Sequence, residues 1–446
     1  MKIAIIGAGS AIFSLNLIGD LCLTESLQGS TISLMDINER RLDAIYLLCR
    51  RYAEEMGRDF RIEKTMERRR ALEGADFVVN TALAGDHDKL RAGWEVAKEL
   101  GYRFGGSYAV MHDEAFWVNY YQMELFDSVV RDVLAICPQA WYIQLANPVL
   151  MGITYLGRRY PQAKIVGLCH GFGGVYHLAE VLGMEREHIT FQIPGVNHTV
   201  WLTDFYYQGR DAFPILDRWI DEESAEFFKT VRPSSGVGPK AVDLYGRFGA
   251  FPIGDTCTPG GGTWPWWYHT DEETERRWRE DPNTWWEGYF PHGLATVNRI
   301  LEIGGDTTRK VTEVLPPEHS GEVIVPLIES IARDIPRVIQ VNIMNAGELV
   351  PGVPRDFSVE IPALVSKRGI QGIKTRGLPA PLTQYILRDR VAPVEIELLA
   401  WLTGSKDLLR QLTLMDPWTR SPAQAERLVD SILALPQLGA MREHYR

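Results

Sequence analysis

The chain has 446 residues, enough for two domains or one large α/β body. Hydrophobic residues make up 45% and charged ones 24%, and 47 basic against 58 acidic residues leave a formal charge of −11, which argues against nucleic acid or an anionic membrane as partner. The five cysteines are odd in number and contain no CxxC pair, which argues against a disulfide framework or zinc ribbon and fits a reduced, cytoplasmic setting.

The first residues, Met1-Lys2-Ile3-Ala4-Ile5-Ile6-Gly7, place four apolar residues before a glycine, too few for a secretory signal, and read as a first strand. No stretch approaches the ~18 apolar residues of a membrane span. Further strands are expected at 31–36, 77–81, 141–145 and 164–168, with a weaker one near 60–64. Helices are expected between them at 10–23, 39–56, 115–137 and 148–159. Strands alternating with helices of this length predict βαβ units in a doubly wound parallel sheet, with ligands along the edge where the strands end. Beyond about residue 190 the order is mixed: strands at 189–193, 199–207 and 357–361, helices at 221–231, 326–332 and 394–403. This predicts two domains, a Rossmann-like 1–190 and an α+β 191–446. Residues 257–292 read as a long loop holding Pro259-Gly260-Gly261-Gly262 and six tryptophans, side chains suited either to stacking on sugars or to a subunit interface.

Gly7-Ala8-Gly9 follows the first strand and opens the first helix, and Asp36 closes the second strand. Glycines there permit a tight turn and close backbone approach to a pyrophosphate lying on the helix N-terminus. Asp36 suits the adenosine ribose and repels a 2′-phosphate, which predicts NAD rather than NADP. Ile12 stands where the third glycine of the fingerprint belongs, so the motif is partial. The expected cofactor contacts are Gly7, Gly9, Ser10, Ala11, Asp36, Asn80 and Thr81.

Cys169 follows the apolar run Lys164-Ile165-Val166-Gly167-Leu168, and His198 ends Gly195-Val196-Asn197-His198 before another apolar run. A thiolate with an imidazole suits a borderline transition metal. Each residue taken alone is more often structural, a buried thiol or a satisfied core histidine. Asn147-Pro148 follows the strand before Cys169, so Asn147 and Cys169 should emerge at one sheet edge. Two protein ligands make an open site, completed by substrate oxygens and water. Asp255, in Phe251-Pro252-Ile253-Gly254-Asp255-Thr256, reads equally as a buried base or a helix N-cap. Asp113 reads most simply as the cap of the helix starting near residue 115.

In this order and spacing, Gly7-Ala8-Gly9-Ser10, Ala146-Asn147-Pro148, Cys169-His170-Gly171, Gly195-Val196-Asn197-His198, Pro252-Ile253-Gly254-Asp255-Thr256 and Glu360-Ile361-Pro362-Ala363-Leu364 resemble the NAD- and manganese-dependent glycoside hydrolases of family 4 over nearly the whole chain. That family stands outside the two-carboxylate scheme by which most glycosidases work. The resemblance implies a lactate/malate-dehydrogenase-like first domain, and a second domain for metal, substrate and oligomer contacts. It implies hydrolysis through transient oxidation: NAD takes a hydride from C3 of the sugar, a base removes the acidified C2 proton, a divalent metal on the C2 and C3 oxygens acts as Lewis acid, the aglycone leaves, water adds and the hydride returns. It implies Cys169 and His198 as metal ligands, Asn147 as a substrate contact, His170 as proton donor to the leaving group, Asp255 as C2 base and Asp113 as an assisting residue. A homodimer or homotetramer is implied as well.

Members acting on 6-phosphosugars carry Asp or Asn after the cysteine; Cys169-His170-Gly171-Phe172 is similar instead to α-uronidases, α-galacturonidases among them. An α-galacturonidase is therefore expected, with α-glucuronidase and α-glucosidase as alternatives. A uronide needs a basic group for its carboxylate, and Arg247 is the candidate, although a solvated surface arginine reads as well. From other classes, an NAD-dependent 2-hydroxy-acid dehydrogenase would leave Cys169 and His198 unexplained, and a non-catalytic NAD-sensing module would leave Asp255 and His170 without a task.

Overall fold

The structure, a computed structural model, describes residues 1–112, 114–306 and 308–446, with the backbone alone at 11–15. Six strands, β1 (Lys2–Ile6), β2 (Thr31–Met35), β3 (Arg61–Thr65), β4 (Phe77–Asn80), β5 (Trp141–Gln144) and β6 (Lys164–Gly167), lie parallel in the order β3-β2-β1-β4-β5-β6. That is the strand order of a dinucleotide-binding fold. β1 and β4 are buried almost along their whole length, as strands covered by helices on both faces must be. β3 is the opposite: Arg61, Glu63 and Lys64 charge an edge strand that pairs on one side only. The helix Glu39–Glu55 between β2 and β3 begins at Asn38, whose side chain accepts the Arg41 N–H, and buries Leu42, Ile45, Leu48, Cys49 and Tyr52 along one stripe.

The strands that follow are β7 (Ile189–Gln192), β8 (Gly195–Val196), β9 (Thr199–Leu202), β10 (Asp204–Tyr207), β11 (Arg210–Asp211), β12 (Phe251–Ile253), β13 (Arg337–Met344), β14 (Ser358–Ser366) and β15 (Gly369–Gly372). β13 pairs antiparallel with β6, and β14, β8, β9 and β12 continue the same sheet, with β15 folded back on β14. Residues on both sides of position 190 thus build one sheet. The last helices return to the first half: Pro422–Ala434 packs on His87–Glu99, and Ala392–Thr403 on Val149–Arg159.

Three sequence expectations change. The strand expected at 199–207 divides at Thr203, because β9 is buried on both faces in the large sheet while β10 joins a small antiparallel sheet with β7 and β11. The helix expected at 221–231 is two helices, Phe213–Glu222 and Ser224–Thr230. The loop expected at 257–292 contains the helix Glu272–Trp278 and the start of the helix Pro282–Gly305, capped by Asp271 and Asp281. Trp264 and Trp286 are buried; Trp264 donates to Asp389 and packs edge-on against Trp201, so they are core rather than a sugar platform. Among the described residues no helix is long and apolar enough to cross a membrane.

Candidate active site

The glycine loop leaves β1 and runs under the end of β2. Gly7 and Ala8 both donate to the Met35 carbonyl at 2.9 Å, and Thr81 Oγ1 donates to the Gly7 carbonyl at 3.0 Å. Gly7 has φ +83°, and a Cβ there would stand 2.4 Å from Ala82 Cα, so only glycine fits. Asp36 does more than close its strand: Oδ2 accepts the Gly9 N–H and Oδ1 the Asn38 N–H, each at 2.8 Å. A carboxylate offers about four lone-pair positions, so capacity remains for a ribose. Ser10 gives the helix Ala11–Leu23 no side-chain cap, which leaves its first amides for an anion. Asn80 donates to Tyr142 Oη at 2.8 Å and is buried, as is Thr81. The Ala11 side chain and Asp113 lie outside the described residues.

The second half of the site assembles where β6, the β8–β9 turn and β12 end. Leu168 still bonds to the β5 carbonyl of Gln144, and the chain then turns out through Cys169, which is partly exposed, and His170, which is exposed. The helix Gly173–Val181 that follows presses on β12: a Cβ at Gly174 would stand 2.7 Å from Ile253 Cγ2. That contact brings Asp255, in the turn after β12, up to the cysteine loop. His170 Nε2 lies 3.0 Å from Asp255 Oδ2, and His198 Nε2 3.6 Å from the same oxygen. The donor atoms of Cys169, His170 and Asp255 all lie within 4.8 Å of one another. His198 is not among those three, but its Nε2 reaches the same Asp255 oxygen, so a sulfur, two imidazoles and a carboxylate border one spot and suit a borderline divalent ion.

The cluster is held from behind. Thr258 Oγ1 donates to Asp255 Oδ1 at 2.6 Å. Thr256 Oγ1 accepts the Val200 N–H and donates to the Val200 carbonyl, fastening the Asp255 turn to β9. A Cβ at Gly261 would stand 2.0 Å from the Asp255 carbonyl oxygen, which accounts for the glycine run that wraps the turn. Burial by itself raises the Asp255 carboxyl, but the hydrogen bond from His170 and the charges of His198 and His170 outweigh it and hold it well below the usual carboxylate range. His170 is pushed up to about 10, first by the Cys169 charge and then by its bond to Asp255. Asp255 is partly exposed and heads no α-helix, so it is not the cap of one; its carboxylate is held instead by His170 and Thr258.

Asn147 ends the loop beside Cys169, since β5 and β6 are parallel neighbours, and its carbonyl accepts Gln122 Nε2 at 2.6 Å. Arg247 sits elsewhere. It lies in the last turn of the helix Pro239–Phe248 that enters β12, whereas Asp255 leaves that strand, and its guanidinium pairs with Asp243. It borders a cleft of about 380 Å³ with Phe248, Trp267 and Tyr385. Sequence reasoning missed Thr256, Thr258, Glu322 and the pair Asn197–Glu360. Thr256, Asn197 and Glu360 lay inside motifs already singled out and Thr258 just beyond one; Glu322, partly buried and within electrostatic reach of His170, had no local signal.

Residues 2–184 match the model of the family 4 glycosyl hydrolases, and residues 193–419 that of the family 4 glycosyl hydrolase C-terminal domain. The chain belongs to glycosyl hydrolase family 4. This family 4 chain is 25% identical to an alpha-glucosidase of Erwinia rhapontici, covering 98% of both chains. It is 26% identical to an alpha-galacturonidase of Lachnoclostridium phytofermentans, covering 97% of this chain and 95% of the relative. The crystal structure of a 6-phospho-alpha-glucosidase from gut microorganisms, in complex with NAD and Mn2+, superposes with a TM-score of 0.76 at 15% identity, covering 100% of this chain and 98% of that one. Family 4 enzymes are NAD-dependent exceptions to the two-carboxylate mechanism of glycosidases.

Proposed function

We propose that this family 4 glycosidase cleaves α-linked uronides, α-galacturonides first, using NAD and Mn2+ or another divalent metal. The observation that carries the reading is the convergence of Cys169, His170, His198 and Asp255 at the sheet edge where the Gly7–Gly9 loop also opens. Cys169 and His198 would hold the metal; Gly7, Gly9, Ser10, Ala11 and Asp36 would cradle NAD, on an edge shaped further by Asn80 and Thr81. When bound, these groups supply hydride acceptance and Lewis acidity.

The chain's own residues then divide the proton work. Asp255, kept ionised by its imidazole neighbours, takes the proton from C2 of the sugar. His170, exposed on the substrate side, gives a proton to the departing glycosidic oxygen. Asn147 orients the sugar hydroxyls from the loop beside Cys169, and Asp113 assists. The family's alternative, a neutral α-hexoside, has one observation in its favour: Arg247 is already bound to Asp243 and stands across β12 from Asp255. A panel of p-nitrophenyl α-galacturonide, α-glucuronide, α-glucoside and α-galactoside with NAD and Mn2+ decides. Turnover on the galacturonide, abolished by chelation and restored by Mn2+, is expected; turnover confined to the neutral sugars overturns the uronide assignment.

A further inference from the structure

Glu360 is a buried carboxylate to which the chemistry above gives no task. It stands in β14, 4% exposed, in register with Gly195 of β8 on one side and Asn342 of β13 on the other. Its Oε2 accepts a hydrogen bond from Asn197 Nδ2 at 2.9 Å, and Asn197 is itself fully buried. Asn197 and His198 form the turn between β8 and β9, paired at its base by Val196 and Thr199. His198 has φ +58°, a left-handed backbone that costs a non-glycine residue about 1–3 kcal/mol and persists only where neighbours impose it. Gly261 closes on the His198 carbonyl from one side, and the preceding residue of the turn, Asn197, is anchored through its amide by Glu360. Removing the carboxylate would leave a buried N–H₂ without this acceptor and free the turn to relax.

We propose that Glu360 is a positioning residue that, by holding the Asn197 amide, fixes the Asn197-His198 turn in the conformation that aims His198 at the metal. The proposal rests on the reading of Cys169 and His198 as metal ligands. Outer residues that orient a metal-bound histidine typically govern affinity by about 10–100-fold. The test is Mn2+ binding to the full chain, followed by the electron paramagnetic resonance of free Mn2+, alongside NAD titration. Glu360→Leu and Asn197→Ala should each weaken Mn2+ by about 10–100-fold while Glu360→Gln, which keeps an acceptor, stays close to wild type. The double variant Asn197→Ala with Glu360→Leu should bind Mn2+ no more weakly than the worse single variant, because both break one bond. NAD affinity should not move in any of them.

Wild-type Mn2+ affinity in Glu360→Leu, parallel loss of NAD, or additive losses in the double variant overturn the proposal. Should Glu360→Leu fail to fold, Asn197→Ala decides by itself, since wild-type Mn2+ affinity there is equally fatal. A wild-type chain that binds no Mn2+ refutes the metal reading, a distinct outcome, and the positioning role falls with it.

Discussion

The two halves of the site are built in contrasting ways. The half proposed for NAD is local: Gly7, Gly9 and Asp36 lie just past the ends of neighbouring parallel strands, and one carboxylate ties the two loops together. The half proposed for the metal is assembled from the ends of β6, β9 and β12 and braced from β14, so its residues meet only when the sheet is complete. On that reading, the loop after β1 should tolerate change elsewhere in the fold, while the Cys169–His198–Asp255 cluster should depend on every strand that brings one of its residues. Substitutions should therefore separate the halves cleanly.

The largest effect is expected from Asp255→Asn. Loss of a general base should lower kcat on the active glycoside by about 10²–10⁴-fold. NAD binding, measured by titration, should be unchanged; a kcat within tenfold of wild type would remove Asp255 from the chemistry. Cys169→Ser comes next, with Mn2+ weakened by more than the ~100-fold that outer residues reach. If NAD weakened equally, the halves would be one folding unit and the contrast would collapse. Gly7→Ala is the converse. It should weaken NAD by about tenfold or more, since the left-handed backbone alone costs about 1–3 kcal/mol before the contact with Ala82 is counted. Mn2+ binding in that variant should match wild type.

The same contrast explains what could be read from sequence. β1, β2, β4, β5 and β6 announce themselves as apolar runs, because strands covered on both faces need them. Gly7, Asp36, Cys169, His198 and Asp255 stand beside such runs and were visible for that reason. Glu360 was visible only as part of a motif; its task depends on the pairing of β14 with β8, which no local pattern encodes. The helix Pro282–Gly305 was hidden by Pro291 in its interior and by Trp285, Trp286, Tyr289 and Phe290, which pack on one another instead of spacing out an apolar stripe. Arg247 drew notice through its position before β12, and only the strand's direction reveals that it enters where Asp255 leaves.

The smallest effect tests a brace beneath the Asp255 turn. Asp416, near the C-terminus, is 2% exposed and accepts the N–H groups of Ser107 and Val110, in the segment that runs on to His112 and packs under the Gly262 end of the Asp255 wrap. Burial pushes its carboxyl up to about 6 from 3.8, although the amides of Ser107, Trp418 and Val110 pull the other way. An acid whose pKa is higher in the folded state binds protons more tightly there. Its stabilising contribution is complete below pH 3.8 and is lost as pH rises through about 6. Wild type should therefore lose ground to Asp416→Asn across that window, by no more than about 1.4 kcal/mol per pH unit, and hold a constant difference above it. Urea unfolding of both proteins between pH 4 and 8 measures the difference directly, cancelling groups common to the two. A pH-independent difference would mean that Asp416 is as ionised in the folded chain as in the unfolded one, and that the amides, not burial, govern this brace.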